Sequence, residues 1–113
     1  MVGKYIPKQG DIAFLDFTPT KGHEQSGYRP CIVISNNVFN KNTKMVIVCP
    51  ITSNEKEFPT HYILEDSKRI NGSVFCEHIR SIDYETRNLK YVESASENDL
   101  LSVIMLTNSC IEE

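Results

Sequence analysis

No tryptophan occurs in this chain, no cysteine lies close to another, and no apolar run approaches the ~20 residues of a membrane span. Each absence excludes something. Without Trp, an aromatic-lined groove for proline-rich peptides has poor material. Cys31, Cys49, Cys76 and Cys110 form no CxxC motif, which removes the usual spacing for zinc or redox chemistry. They read instead as small buried hydrophobes in a reducing compartment. The N-terminus carries Lys4 and Lys8 without an apolar stretch of signal-peptide character, so the expected address is cytoplasmic, with no membrane contact. An excess of positive charge is also missing: 12 Lys and Arg face 15 Asp and Glu, a net charge of −3. The deficit is uneven, however. Residues 1–44 hold six Lys or Arg against three Asp or Glu, and the surplus acid falls in the remainder. That asymmetry is compatible with a local polyanion site in the first part of the chain.

What is present describes one domain spanning residues 1–113, with 40% apolar and 24% charged residues and enough length for a core without staples. Short apolar runs separated by turn residues predict strands at 11–17, 30–35, 45–52, 61–65, 73–82 (bent) and 89–92. Pro50, which has no N–H to give a ladder, predicts a bend within the third run. Residues 36–43 read as a turn or one short helix. Ser96 opens a terminal helix as N-cap, with Asp99 completing an acidic variant of the capping box. Its apolar face is expected at Leu100, Leu101, Val103, Ile104, Leu106, Thr107 and Ile111. Many short strands and one helix predict a mainly β fold, a small bent sheet or barrel.

The chain is organised around residues 22–35. A polar loop with Gly22 and Gly27 runs into the apolar strand Cys31–Ile34, and Pro30 marks the seam. Arg29 therefore stands where loop meets sheet, carrying a planar, permanently charged fork. Thr52 stands at a second strand end, followed by Ser53-Asn54-Glu55-Lys56, and Glu77-His78-Ile79-Arg80 forms a third polar cluster. An Arg and a hydroxyl without a metal cluster suit phosphate chemistry, because the guanidinium matches phosphate oxygens bidentately and a Thr hydroxyl can donate to a developing oxyanion. The plainer readings are a salt-bridged Arg29 and a Thr52 that bonds its own backbone.

Gly22–Ser35 and Val48–Thr52 resemble the signature regions of the MazF/PemK family of toxin endoribonucleases, the mRNA interferases of type II toxin–antitoxin pairs. Tyr5-Ile6-Pro7, Gly10-Asp11, Asp16–Gly22 and Glu77–Ile82 extend the likeness over nearly the whole chain. The resemblance implies a strongly curved, SH3-like β-barrel with a C-terminal helix (CcdB/PemK-like) that works as a homodimer. It implies sequence-specific cleavage of single-stranded RNA without metal or other cofactor, leaving 2′,3′-cyclic phosphate and 5′-hydroxyl ends. It also implies a MazE-like antitoxin partner with an acidic disordered tail. The family's Arg and Thr fall on Arg29 and Thr52, and its loop Glu on Glu24. For RNA contact the expected residues are Phe17, Thr18, Lys21, His23, Gln25, Tyr28, Ser53, Asn54, Lys56, His78 and Arg80, with core packing as the plainer reading of Phe17. His78 departs from the Gln frequent in the family and reads as a binding residue or a proton shuttle. His61 reads as structural. The competing function is a non-enzymatic, CcdB-like topoisomerase poison, which would not need Arg29 and Thr52.

Overall fold

The computed structural model describes residues 5–17, 27–54 and 57–112. Ten elements follow one another: β1 (Asp11–Asp16), β2 (Tyr28–Val33), α1 (Asn37–Thr43), β3 (Met45–Thr52), β4 (His61–Ile63), β5 (Ser73–Phe75), a 3₁₀ turn (Cys76–His78), β6 (Arg80–Asp83), β7 (Lys90–Ser94) and α2 (Glu97–Ser109). The mainly β architecture with a terminal helix is the one expected. All pairings are antiparallel, in the order β4-β5-β3-β2-β1-β7, with β6 added on β3. The sheet is open, with β4 and β7 at the ends of the path.

β3 holds this arrangement together. Residues 45–48 pair with β6, residues 48–50 with β2, and residues 51–52 with β5. The switch of partners falls at Pro50, where the sequence predicts a bend. The 73–82 run, expected as one bent strand, instead splits into β5, the 3₁₀ turn and β6. The two halves serve different stretches of β3, so the chain must turn between them. β2 begins at Tyr28 and not at Pro30. Proline is tolerated inside it because the β2–β3 ladder ends at Cys31, one residue later in the chain.

Side chains alternate across the strands and form two cores. On the helix side, Ile12, Ile32, Cys49, Ile51 and Val74 pack with Val103 of α2. On the far side lie Leu15, Phe17, Cys31, Val33, Val46, Val48, Ile82 and Tyr84. Three cysteines are buried as expected, but Cys110 is exposed, because it follows the last residue of α2. The Cys76 thiol beside it, together with burial, pushes the Cys49 thiol well above its ordinary pKa, and burial does the same to Cys31.

Ser96 caps α2, its Oγ accepting the Asp99 N–H at 3.0 Å. The reciprocal half of the expected capping box is not made. The Asp99 carboxylate, fully buried, accepts the Tyr62 hydroxyl at 2.7 Å and the N–H groups of Glu65 and Asp66 at 3.2 and 3.0 Å. A carboxylate that leaves water needs several donors, and the loop after β4 supplies them. Leu101 and Ile111 also depart from the expected apolar face. They are exposed, Leu101 because the helical turn carries it off the stripe and Ile111 because it lies past the helix end. Among the described residues, no helix is long and apolar enough to cross a membrane.

Candidate functional site

Arg29 stands near the start of β2 and Thr52 at the end of its antiparallel neighbour β3. The β2–β3 ladder ends at Cys31 and Pro50, and beyond it Thr52 pairs with Ser73 of β5. Along β2, Arg29 alternates in step with Cys31 and Val33 of the far-side core. Arg29 also pairs directly with Leu15 of β1. Thr52 is half-buried, and its Oγ1 lies 3.4 Å from the Asn54 N–H, long for a hydrogen bond. Gly72, in the turn before β5, is required here: a Cβ at that position would lie 2.0 Å from the Thr52 carbonyl oxygen.

Arg80 and His78 lie by the Pro50 bend of β3. Arg80 pairs with Val48, which puts it on the far side, and its Nη1 donates to the Phe17 carbonyl at 3.3 Å. Its guanidinium carbon lies 5.5 Å from the centre of the Phe17 ring, a cation–π contact. Phe17 itself is 1% exposed. The base-stacking role expected for it is therefore not open to this ring, which packs in the core and supports Arg80. Phe17, Pro50, Glu77, His78 and Arg80 line a cleft of about 380 Å³. His78 Nδ1 is buried without a hydrogen-bond partner among the described residues, and its Nε2 is 3.9 Å from the Glu77 carboxylate. His61 is structural, as expected: its ring stacks on Phe75 at 3.7 Å and its Nε2 meets Glu77 Oε2 at 2.8 Å. Burial opposes the charge of Glu77, yet its own backbone N–H, His61 and the Thr60 hydroxyl hold its carboxyl below the ordinary range.

A second groove, of about 540 Å³, opens around the end of β2 and β3 on the helix side. Tyr28, Arg29, Ser53, Arg69 and Asn71 are among its lining residues. Tyr28 is 50% exposed and rests on Phe14, ring centres 5.3 Å apart. Asn54 is exposed beside Ser53. Glu24, Thr18, Lys21, His23, Gln25 and Lys56 lie outside the described residues.

Residues 8–106 match the family described as the PemK-like, MazF-like toxin of type II toxin–antitoxin systems. The chain belongs to that PemK/MazF toxin family. It is 37% identical over 87 residues to the Escherichia coli K12 protein named endoribonuclease toxin MazF, an alignment covering 77% of this chain and 78% of that one. Over 81 residues it is 37% identical to the endoribonuclease MazF of Staphylococcus saprophyticus, covering 67% and 68% of the two chains. The crystal structure of MazF from Deinococcus radiodurans superposes with a TM-score of 0.90 at 33% identity, over 96% of this chain and 98% of that one. A mycobacterial endoribonuclease in complex with its antitoxin shares the fold at a TM-score of 0.78 and 19% identity, over 93% and 94% of the chains.

Within this PemK/MazF toxin, sequence reasoning did not bring Arg69 and Asn71 into a groove with Arg29. The Asn71-Gly72 turn is legible as a turn. Its place against Thr52 is not, because only the β3–β5 pairing of Thr52 with Ser73 brings it there.

Proposed function

We propose that this toxin is a single-domain endoribonuclease of residues 1–113 that cleaves single-stranded RNA without metal, giving 2′,3′-cyclic phosphate and 5′-hydroxyl ends. The observation that supports the chemistry is the position of Arg29 near the start of β2 and of Thr52 at the end of its antiparallel neighbour β3. In RNA the 2′-hydroxyl is the nucleophile, so the protein has to stabilise charge and move two protons. The Arg29 guanidinium neutralises the pentavalent phosphate as charge develops, and the Thr52 hydroxyl donates to a non-bridging oxygen. Glu24 accepts the 2′-hydroxyl proton. An Arg with a pKa above ~12 is a poor proton donor, so Arg29 acts by electrostatics and the leaving 5′-oxygen takes its proton from solvent water.

RNA contacts come from Tyr28, Ser53, Asn54, His78 and Arg80, together with Thr18, Lys21, His23, Gln25 and Lys56. Single strands are read through stacking and base edges, and an exposed Tyr, amides and cations are suited to both. The toxin works in the cytoplasm as a homodimer and is held by a cognate MazE-like antitoxin whose acidic tail covers these cations. The D. radiodurans MazE–MazF complex, with a TM-score of 0.83 at 33% identity over 96% and 97% of the chains, supports that partner.

Incubation with a long RNA in EDTA, followed by end mapping, tests the reading. Discrete cuts with cyclic phosphate ends are expected, and Arg29→Ala should lose roughly 10²–10³ in rate. Gyrase inhibition without RNA cleavage would replace the nuclease with a topoisomerase poison.

A further inference from the structure

The sheet end is straddled by two openings. The far-side cleft holds His78 and Arg80, and the helix-side groove holds Tyr28, Ser53, Arg69 and Asn71. Arg29 lines the helix-side groove together with these residues. We infer that the helix-side groove is a second nucleotide subsite, in which Arg69 and Asn71 hold the RNA on one side of the scissile phosphate. The inference rests on the nuclease reading above and adds residues that it does not use.

Three features build the subsite. Tyr28, braced on Phe14, presents a half-exposed ring on which a base can stack. Arg69 provides a guanidinium within the same groove as Arg29, giving two cations for successive phosphates. Ser53 and Asn71 provide a hydroxyl and an amide for base edges or sugar hydroxyls. The volume of about 540 Å³ is that of a small-ligand cleft.

The loop that carries Arg69 is fixed in place. The Glu93 carboxylate of β7 accepts three successive N–H groups, from Lys68, Arg69 and Ile70, at 3.0, 2.9 and 2.8 Å. Burial works against the Glu93 charge, but these donors and the nearby Arg69 charge hold its carboxyl below the ordinary range. Glu93 is thus a positioning residue. Its carboxylate is engaged by backbone, and Gly72 lets the following turn lie against Thr52, so the loop reaches the catalytic strand end.

The test is a cycle of substrate length against mutation. Cleavable oligoribonucleotides containing one cut site are lengthened by a few nucleotides on the 5′ side, or on the 3′ side. For the wild type, extension on one side alone should lower KM, with kcat unchanged. Arg69→Ala should abolish that gain and keep kcat, and Arg69→Lys should restore part of it. Binding of a 2′-O-methyl, uncleavable oligonucleotide of the longer length should lose about 0.7 from its log–log salt slope in Arg69→Ala, one phosphate contact. Glu93→Gln should shorten the length advantage in the same way without changing kcat on the short substrate.

An equal length advantage in wild type and Arg69→Ala overturns the subsite. So does a variant that binds RNA normally but loses affinity only for an acidic peptide, which would make the groove a protein site. If the wild type cleaves nothing, the nuclease reading fails by itself. The salt slope of the uncleavable oligonucleotide then still decides whether Arg69 contacts RNA.

Discussion

The two faces of the sheet divide the molecule differently. On the helix side the core is closed by α2, with Val103 fully buried over Ile12, Ile32 and Cys49. Among the described residues no long helix covers the core on the far side, and Phe17, Val33 and Val48 are buried among strands and turns. Arg80 sits directly against this far-side core, over the Phe17 ring. A side chain two residues along a strand can therefore pass from packing to chemistry: Leu15 pairs with Arg29, and Phe17 carries Arg80. Folding and function share one face here, and substitutions on it should separate by depth.

Phe17→Ala is expected to have the largest effect. It removes a ring that is 1% exposed and should cost about 3–5 kcal/mol, read as a lowered urea midpoint. Loss of cleavage with unchanged stability would break the comparison, since Phe17 would then be a substrate contact. Arg29→Ala on the same face should do the reverse, losing roughly 10²–10³ in cleavage rate with little change in Tm. On the helix side, Asp99→Ala removes the acceptor of the Tyr62 hydroxyl and of the Glu65 and Asp66 N–H groups and should cost about 1–3 kcal/mol in all, measured by denaturant unfolding. Cleavage per folded molecule should stay the same.

The smallest effect is one of pH. Burial and then the hydrogen bond to Asp99 push the Tyr62 hydroxyl up to about 12 from 10.0. A raised pKa means that folding favours the protonated form. The contribution is complete below pH ~10 and disappears as pH climbs toward about 12. Tyr62→Phe should flatten the alkaline fall of stability, followed by thermal unfolding at several pH values.

Legibility followed the same division. β3 was readable to the residue because a largely buried strand is one continuous apolar run, and Ser96 was readable because an N-cap is a local device. Arg29 and Thr52 were readable as strand-end residues from the apolar runs beside them, and their roles came from the resemblance. That β2 and β3 are neighbours is set by their antiparallel pairing, which no local pattern encodes. Arg69 could not be found from the sequence, since its place depends on Glu93 gathering a distant loop. Asp99 misled for the opposite reason: its local role as a box partner was plausible, and three donors from another element displaced it. The division of 73–82 into two strands was hidden because no Gly or Pro lies between the halves, and only their different partners separate them.

β3 has a consequence for how the molecule opens. It is hydrogen-bonded to β2, β5 and β6 at once, so no part of the described sheet can peel away from it without exposing a neighbour's amides. Its central N–H groups should exchange with deuterium only when the entire domain unravels, while β4 and β7, at the ends of the path, exchange through cheaper excursions. A protease would then find no partly opened intermediate in which Thr52 is loose and the rest intact.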